Sequence, residues 1–91
     1  MPTLLHYIKL LPIGYSEVFF ENVKYGVSRT DYNGGKSIKI YAEELGGINF
    51  ISLNYYLTTK TEFLKPCEMP KEKVINFLKN YSFVNSNKQQ L

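Results

Sequence analysis

Cys67 is the residue of this chain best suited to nucleophilic chemistry. It is the only cysteine among 91 residues, and it lies shortly before Pro70, where we predict that a helix begins. A helix N-terminus favours the thiolate, which is the reactive form of cysteine. The alternative is a small apolar residue, buried where the last strand meets the helix. Because the chain has no second cysteine and a single histidine, we favour this alternative.

His6 lies beside an apolar N-terminal stripe, and a pair with Cys67 would require the N-terminal segment to dock at the start of the C-terminal helix. Nothing in the sequence requires that contact. One cysteine and one histidine do not supply the usual nitrogen and sulfur ligands of a metal. We therefore expect no metal and no cofactor, and a protein that is not an enzyme is favoured over one that is.

Glu43 and Glu44 form the only adjacent pair of carboxylates. Successive side chains of a strand point to opposite faces, so the two acids diverge and make a poor acid–base couple. We expect Glu43 to form a cross-strand ion pair with Lys24 instead.

Two glycine turns organise the segments that must position these residues. Asn33-Gly34-Gly35 and Gly46-Gly47 flank a stretch in which apolar and polar residues alternate, a typical hairpin pattern. If Asn33-Gly34 and Gly46-Gly47 are two-residue turns, the pairings on both sides of the middle strand place the same set of its side chains on the apolar face of the sheet. The facing pairs are then Val27–Ile40, Tyr25–Ala42, Ile40–Leu53 and Ile38–Tyr55.

The remaining pattern predicts an α+β domain: an antiparallel meander of about five strands, a C-terminal helix packed on one face, and a short N-terminal helix over residues 3–11. The strands are expected at residues 16–21, 24–32, 36–45, 48–58 and 61–65. Val74, Phe77, Leu78 and Tyr81 recur at helical spacing after Pro70 and should cover the Ile38–Ile40 face. Residues 1–84 form one domain, and 85–91 are expected to be a disordered polar tail.

The face of the sheet turned away from the helix carries the functional lead. Aromatic residues make up 15% of the chain, and on this face they alternate with lysine and asparagine. Rings that stack on bases and lysines that attract phosphate are used by single-strand-binding platforms. The predicted binding residues are Lys39, Tyr41, Phe50, Asn54 and Tyr56. The open alternative is that the N-terminal helix or a second copy of the protein covers this face.

Charge and cysteine content restrict the partners. The net charge is +3, and Arg29 is the only arginine, whereas proteins that read nucleic acid usually carry more arginine. A single cysteine fits a reducing compartment. The N-terminus lacks a basic n-region and a small-residue cleavage site, and no apolar run is long enough to span a bilayer. We expect a cytoplasmic protein without a membrane segment.

Residues 24–29, the turn and residues 38–40 resemble the second hairpin of the single-strand-DNA-binding transcriptional coactivator fold, a four-stranded antiparallel sheet with one helix. This resemblance covers a small part of the chain and implies single-stranded DNA as a ligand. The predicted fifth strand and the single arginine depart from that fold.

Residues 39–47, 50–56 and 64–70 are similar to a small family of uncharacterised bacterial proteins, some of which are labelled peptide methionine sulfoxide reductases. Those enzymes use a reactive cysteine in a Gly-Cys-Phe-Trp segment or a zinc-bearing cysteine set. This chain has no tryptophan and one cysteine, so its motifs do not match. If the chain had that activity, Cys67 would be the nucleophile.

The sequence thus predicts a non-enzymatic binding or protein-interaction domain that uses the aromatic and lysine-bearing sheet face, with single-stranded nucleic acid as the first candidate ligand. Two alternatives stay open. One is a thiol-dependent reductase that uses Cys67, and the other is a module whose role is to form a homodimer.

Overall fold

A computed structural model describes residues 3–84, which form two α-helices and six strands. The helices are α1 (Leu4–Leu10) and α2 (Lys71–Asn80). The strands are β1 (Gly14–Phe20), β2 (Val23–Tyr32), β3 (Ser37–Glu44), β4 (Phe50–Leu57), β5 (Glu62–Pro66) and β6 (Ser82–Phe83). The expected disordered tail, residues 85–91, lies outside the described residues.

The strands form one antiparallel sheet in the order β5-β4-β3-β2-β1-β6. Strands β1 to β5 are the predicted meander, so the α+β architecture is confirmed. Strand β6 was not predicted. It follows α2, which carries the chain from β5 to the opposite edge, and it pairs Phe83 with Val18 of β1. Two residues are too few to show an alternating pattern in the sequence.

The predicted register between β2 and β3 is wrong by two residues. Val27 pairs with Ala42 rather than Ile40, and Tyr32 pairs with Ser37. The connection is longer than two residues because Asn33, Gly34 and Gly35 all adopt left-handed φ angles of 55°, 67° and 92°. An even shift leaves every side chain on its predicted face, since side chains alternate with period two.

The same shift removes the predicted ion pair between Lys24 and Glu43. Gly26 lies opposite Glu43, and the Lys24 ammonium instead lies 3.8 Å from a carboxylate oxygen of Glu17. Both of those side chains are largely exposed. This pair therefore contributes little to stability.

The predicted registers on the other side of β3 are confirmed. Ile40 pairs with Leu53 and Ile38 with Tyr55 across β3 and β4. The β4–β5 hairpin closes at Thr59-Lys60, where the Thr58 N–H donates to the Thr61 carbonyl at 2.8 Å. The strands β3, β4 and β5 therefore present the faces that the alternating pattern predicted.

Both helices pack on the same face of the sheet. Helix α1 begins at Thr3, whose hydroxyl accepts a hydrogen bond from the His6 N–H at 3.3 Å, as an N-cap does. Helix α2 has Pro70 as its N-cap residue. The buried residues form one apolar core. They are Ile8, Leu11, Val18, Phe20, Tyr25, Val27, Ile38, Ile40, Ala42, Ile51, Leu53, Tyr55, Val74, Phe77 and Leu78.

Arg29 joins the end of α1 to strand β2 from within this core face. Its guanidinium donates two hydrogen bonds of 2.9 Å to the Asp31 carboxylate and one of 2.7 Å to the Leu11 carbonyl. The Arg29 side chain is only 9% exposed. A buried charge is tolerated only when it is paired and hydrogen-bonded, so these contacts fix where the chain enters the sheet.

Among residues 3–84, no helix is both long and apolar enough to cross a membrane.

We predict that Arg29→Ala lowers the free energy of unfolding by about 3 kcal/mol, because it removes a buried side chain and leaves the half-buried Asp31 carboxylate and the Leu11 carbonyl without their partner. Lys24→Ala, which breaks the exposed pair with Glu17, should cost less than about 1 kcal/mol. Urea denaturation measures both. Equal costs for the two variants would contradict a structural role for Arg29.

A second prediction concerns alkaline pH and the contact between the two helices. The Tyr81 hydroxyl donates to the Tyr7 carbonyl at 2.7 Å, and burial raises the pKa of Tyr81 to about 12. Burial, followed by the neighbouring Glu62 carboxylate, also raises the pKa of Tyr55. Since the folded state holds these protons more tightly than the unfolded chain, stability should be complete below the ordinary tyrosine pKa of about 10 and fall as pH rises toward 12.

Urea unfolding at a series of pH values above 9 measures this dependence. Tyr81→Phe should lose less stability over that range than the parent protein, although it starts lower by about 1 kcal/mol for the lost hydrogen bond. If the free energies of unfolding of the two proteins fell in parallel with rising pH, Tyr81 would not be the titrating group.

Candidate ligand-binding face

The outer face of the sheet is the side opposite α1 and α2, and within residues 3–84 it is open. Tyr32 and Phe63 are each 51% exposed and Tyr41 is 39% exposed. The proposal that the N-terminal helix covers this face is wrong, because Ile8 and Leu11 lie in the core on the other side. The apolar stripe of α1 packs beside α2 rather than on the aromatic surface.

Lys39, Asn54 and Lys65 lie side by side across three strands of the outer face. Lys39 pairs with Asn54, and Asn54 pairs with Lys65. Neighbouring strands lie about 4.8 Å apart, so the two lysines flank the asparagine within about 10 Å. In the part of the chain that the structure describes, neither lysine forms a salt bridge. We call these three residues the lysine row.

Tyr56 and Phe63 lie next to the lysine row, two residues further along β4 and β5. They face each other across the two strands. With Lys65 they line a shallow concavity of about 240 Å³. An apolar concavity with a cation at its margin suits a planar ring attached to an anionic group.

Tyr41 and Phe50 lie on the other side of the lysine row. Their ring centroids are 6.1 Å apart, and the Lys73 ammonium lies 5.8 Å from the Phe50 ring centroid. Phe50 is half-buried and lies close to both Tyr41 and Lys73, so its ring is less accessible than that of Tyr41. Of the five predicted binding residues, Lys39 and Asn54 lie in the lysine row, Tyr56 lines the concavity next to it, and Tyr41 and Phe50 lie together on the other side.

The opposite end of the outer face is acidic. Glu43 and Glu17 both lie opposite Gly26, one on each neighbouring strand. The Tyr15 ring lies over Gly26, and a side chain there would meet the Tyr15 hydroxyl oxygen at 2.5 Å. The Tyr15 hydroxyl donates to Glu17 at 3.3 Å. This end of the outer face thus carries two carboxylates, of which Glu17 is paired with Lys24 and Glu43 has no ion-pair partner among the described residues.

Cys67 lies on the outer face at its β5 edge. Its N–H donates to the Ser52 carbonyl at 3.0 Å, and the Asn54 side-chain amide donates to the Cys67 sulfur at 3.4 Å. The thiol is half-buried. An amide is not a general base, so this contact does not activate the thiol. His6 lies on α1, across the sheet, and residues 3–84 hold no cluster of metal-ligating side chains.

Sequence reasoning missed Lys65, Tyr32 and Cys67 as members of this face. Lys65 and Cys67 follow Phe63 at intervals of two, so the alternation of side chains along a strand would have identified them. Tyr32 lies at the end of β2, and its position shares the face of Ser28 and Thr30.

Comparison of the chain with protein-family models, with curated proteins and with solved structures gave no match. Both resemblances noted from the sequence therefore remain expectations.

Alanine substitutions at two adjacent tyrosines of β4 test which face of the sheet is buried and which is open. Tyr55 is 1% exposed and Tyr56 is 36% exposed. We expect Tyr55→Ala to cost about 3–5 kcal/mol of unfolding free energy because it opens a cavity in the core. Tyr56→Ala should cost less than about 1 kcal/mol. Thermal and urea unfolding provide the comparison, and a large cost at Tyr56 would contradict an open outer face.

Proposed function

We propose that this protein is a non-enzymatic binding domain that takes single-stranded nucleic acid on its outer sheet face. The observation that carries the proposal is the exposed set of rings around the lysine row. Base–aromatic stacking contributes about 1–3 kcal/mol per base and does not depend on sequence, while lysines attract the phosphates.

The distribution of charge supports this ligand over a neutral one. Lys39 and Lys65 are free of carboxylate partners among the described residues, whereas Arg29 is engaged with Asp31 inside the protein. The binding face therefore attracts anions through lysine alone. Lysine makes point-charge contacts rather than paired hydrogen bonds to bases, so the proposed binding is weak and tolerant of sequence.

Titration of a fluorescently labelled eight-residue oligothymidylate at low salt tests the proposal. Tyr56→Ala should weaken binding by about tenfold and Tyr41→Ala by a similar or smaller factor, since each removes a stacking surface. Tyr15→Ala is the matched control, because Tyr15 is an exposed ring of the same face that lies beside Glu17. It should leave the affinity unchanged.

A flat titration would overturn the proposal, and so would equal losses in the Tyr15 and Tyr56 variants. Circular dichroism of each variant establishes that the fold is intact.

The competing role for the same face is association with a second copy of the protein. Sedimentation equilibrium separates the two. A monomer that binds the oligothymidylate supports the proposal. A dimer that Phe63→Ala converts to monomer, without binding of the oligothymidylate, would assign the face to self-association.

The thiol-dependent reductase rests on Cys67 alone, and the Asn54 contact does not favour it. Cys67 nevertheless provides a probe of the proposed site because it touches Asn54. Bound oligothymidylate should slow alkylation of Cys67 by a maleimide. If Cys67→Ser abolished a methionine sulfoxide reductase activity of the protein, the non-enzymatic proposal would fail.

A further inference from the structure

The outer face has an ordered arrangement along its strands. Tyr56 on β4 lies at one level, Lys39 and Asn54 lie two residues away, Tyr41 lies two residues further, and Glu43 follows. Each step of two residues covers about 6.6 Å. Ring, cation, ring and carboxylate therefore succeed one another along one direction.

We infer, on the basis of the proposed function, that a bound single strand runs along β3 and β4 with a phosphate held at Lys39 and Lys65, and that Glu43 ends the site. The recognised segment is then short. The distance from Tyr56 to Tyr41 is about 13 Å, which accommodates about three nucleotides.

The lysine row fits a phosphate in both position and charge. Lys39 and Lys65 approach from either side of Asn54, whose amide can donate to a phosphate oxygen. The neighbouring concavity is lined by Tyr56, Phe63 and Lys65. A base stacked there places the phosphate of the same nucleotide toward the lysines.

Glu43 fits the role of a boundary. It lies on the outer face one level beyond Tyr41, at the level of Glu17, with Gly26 between the two carboxylates. In the described part of the chain Glu43 forms no salt bridge. Phe50 lies opposite Glu43 on β4, with the Lys73 ammonium at its ring, so the Glu43 charge repels a phosphate that continues past Tyr41 on the β3 side.

The salt dependence of binding tests the lysine row. For the eight-residue oligothymidylate, one phosphate neutralised at the lysine row predicts a slope of log K against log salt of about −0.7, and Lys39→Gln or Lys65→Gln should each bring the slope toward zero. The affinity at about 50 mM salt should fall five- to tenfold in each variant. Lys36→Gln, at an exposed lysine of the β2–β3 turn, is the matched control and should leave the slope unchanged.

The length dependence tests the boundary. In a series of oligothymidylates from two to eight residues, affinity per site should stop rising at about three. Glu43→Lys should extend the rise to longer strands and raise the affinity of those strands more than that of the trinucleotide.

The outcomes separate the two proposals. If the eight-residue strand binds and the slope is unaffected by Lys39→Gln and Lys65→Gln, this inference is wrong and the proposed function stands. A plateau that Glu43→Lys does not move overturns the boundary. If no strand binds at low salt, both proposals are overturned.

Discussion

Burial of apolar side chains on one face of the sheet is the constraint on which the rest of the structure depends. The strands alternate strictly, so each contributes apolar residues to one side and polar or aromatic residues to the other. Both helices pack on the apolar side, where Ile8 of α1 and Phe77 of α2 are fully buried. Nothing in residues 3–84 is left to cover the second side. An open aromatic face is therefore a consequence of where the helices dock.

The alternating pattern was sufficient to predict which face each strand residue occupies, and it was insufficient to predict register. The β3–β4 pairing follows from apolar matching across a loop that turns at Gly46. The β2–β3 pairing does not, because shifts of two residues preserve every face and differ only in turn geometry. Three consecutive residues with left-handed φ angles, Asn33 to Gly35, decide that register. Because the same sequence motif is compatible with turns of several lengths, it does not reveal this geometry.

The candidate site was predictable to a similar extent. Lys39, Asn54 and Tyr56 were found because they alternate with core residues whose burial is strongly specified. The position of Lys65 beside Asn54 depends on the β4–β5 pairing, and the partial burial of Phe50 involves Lys73, which reaches it from α2. The buried role of Arg29 was also out of reach, since it depends on a backbone carbonyl at Leu11. Contacts between elements that are distant in sequence leave no local pattern.

Because the single arginine lies inside the protein, the outer face has no guanidinium with which to recognise a ligand. A guanidinium presents a planar fork that pairs with the edge of a base, whereas an ammonium does not. With Arg29 bound to Asp31, the outer face has flat rings and mobile point charges. Such a surface responds to the shape and charge of a ligand and to the ionic strength around it, more than to base identity.

The contact between Tyr81 and Tyr7 joins residues that are 74 positions apart, and this separation has a kinetic consequence. A helix of seven residues does not persist alone in water, so α1 gains its stability only when α2 has docked. Strand β6 depends on the same event, because it pairs with β1 at the edge that α2 reaches last. The meander can form from contacts between neighbouring segments, whereas both ends of the described chain must be brought together across its whole length. From the unfolded chain, direct closure of these ends carries a larger loop entropy than any pairing of neighbouring strands, so we expect this contact to form after the meander.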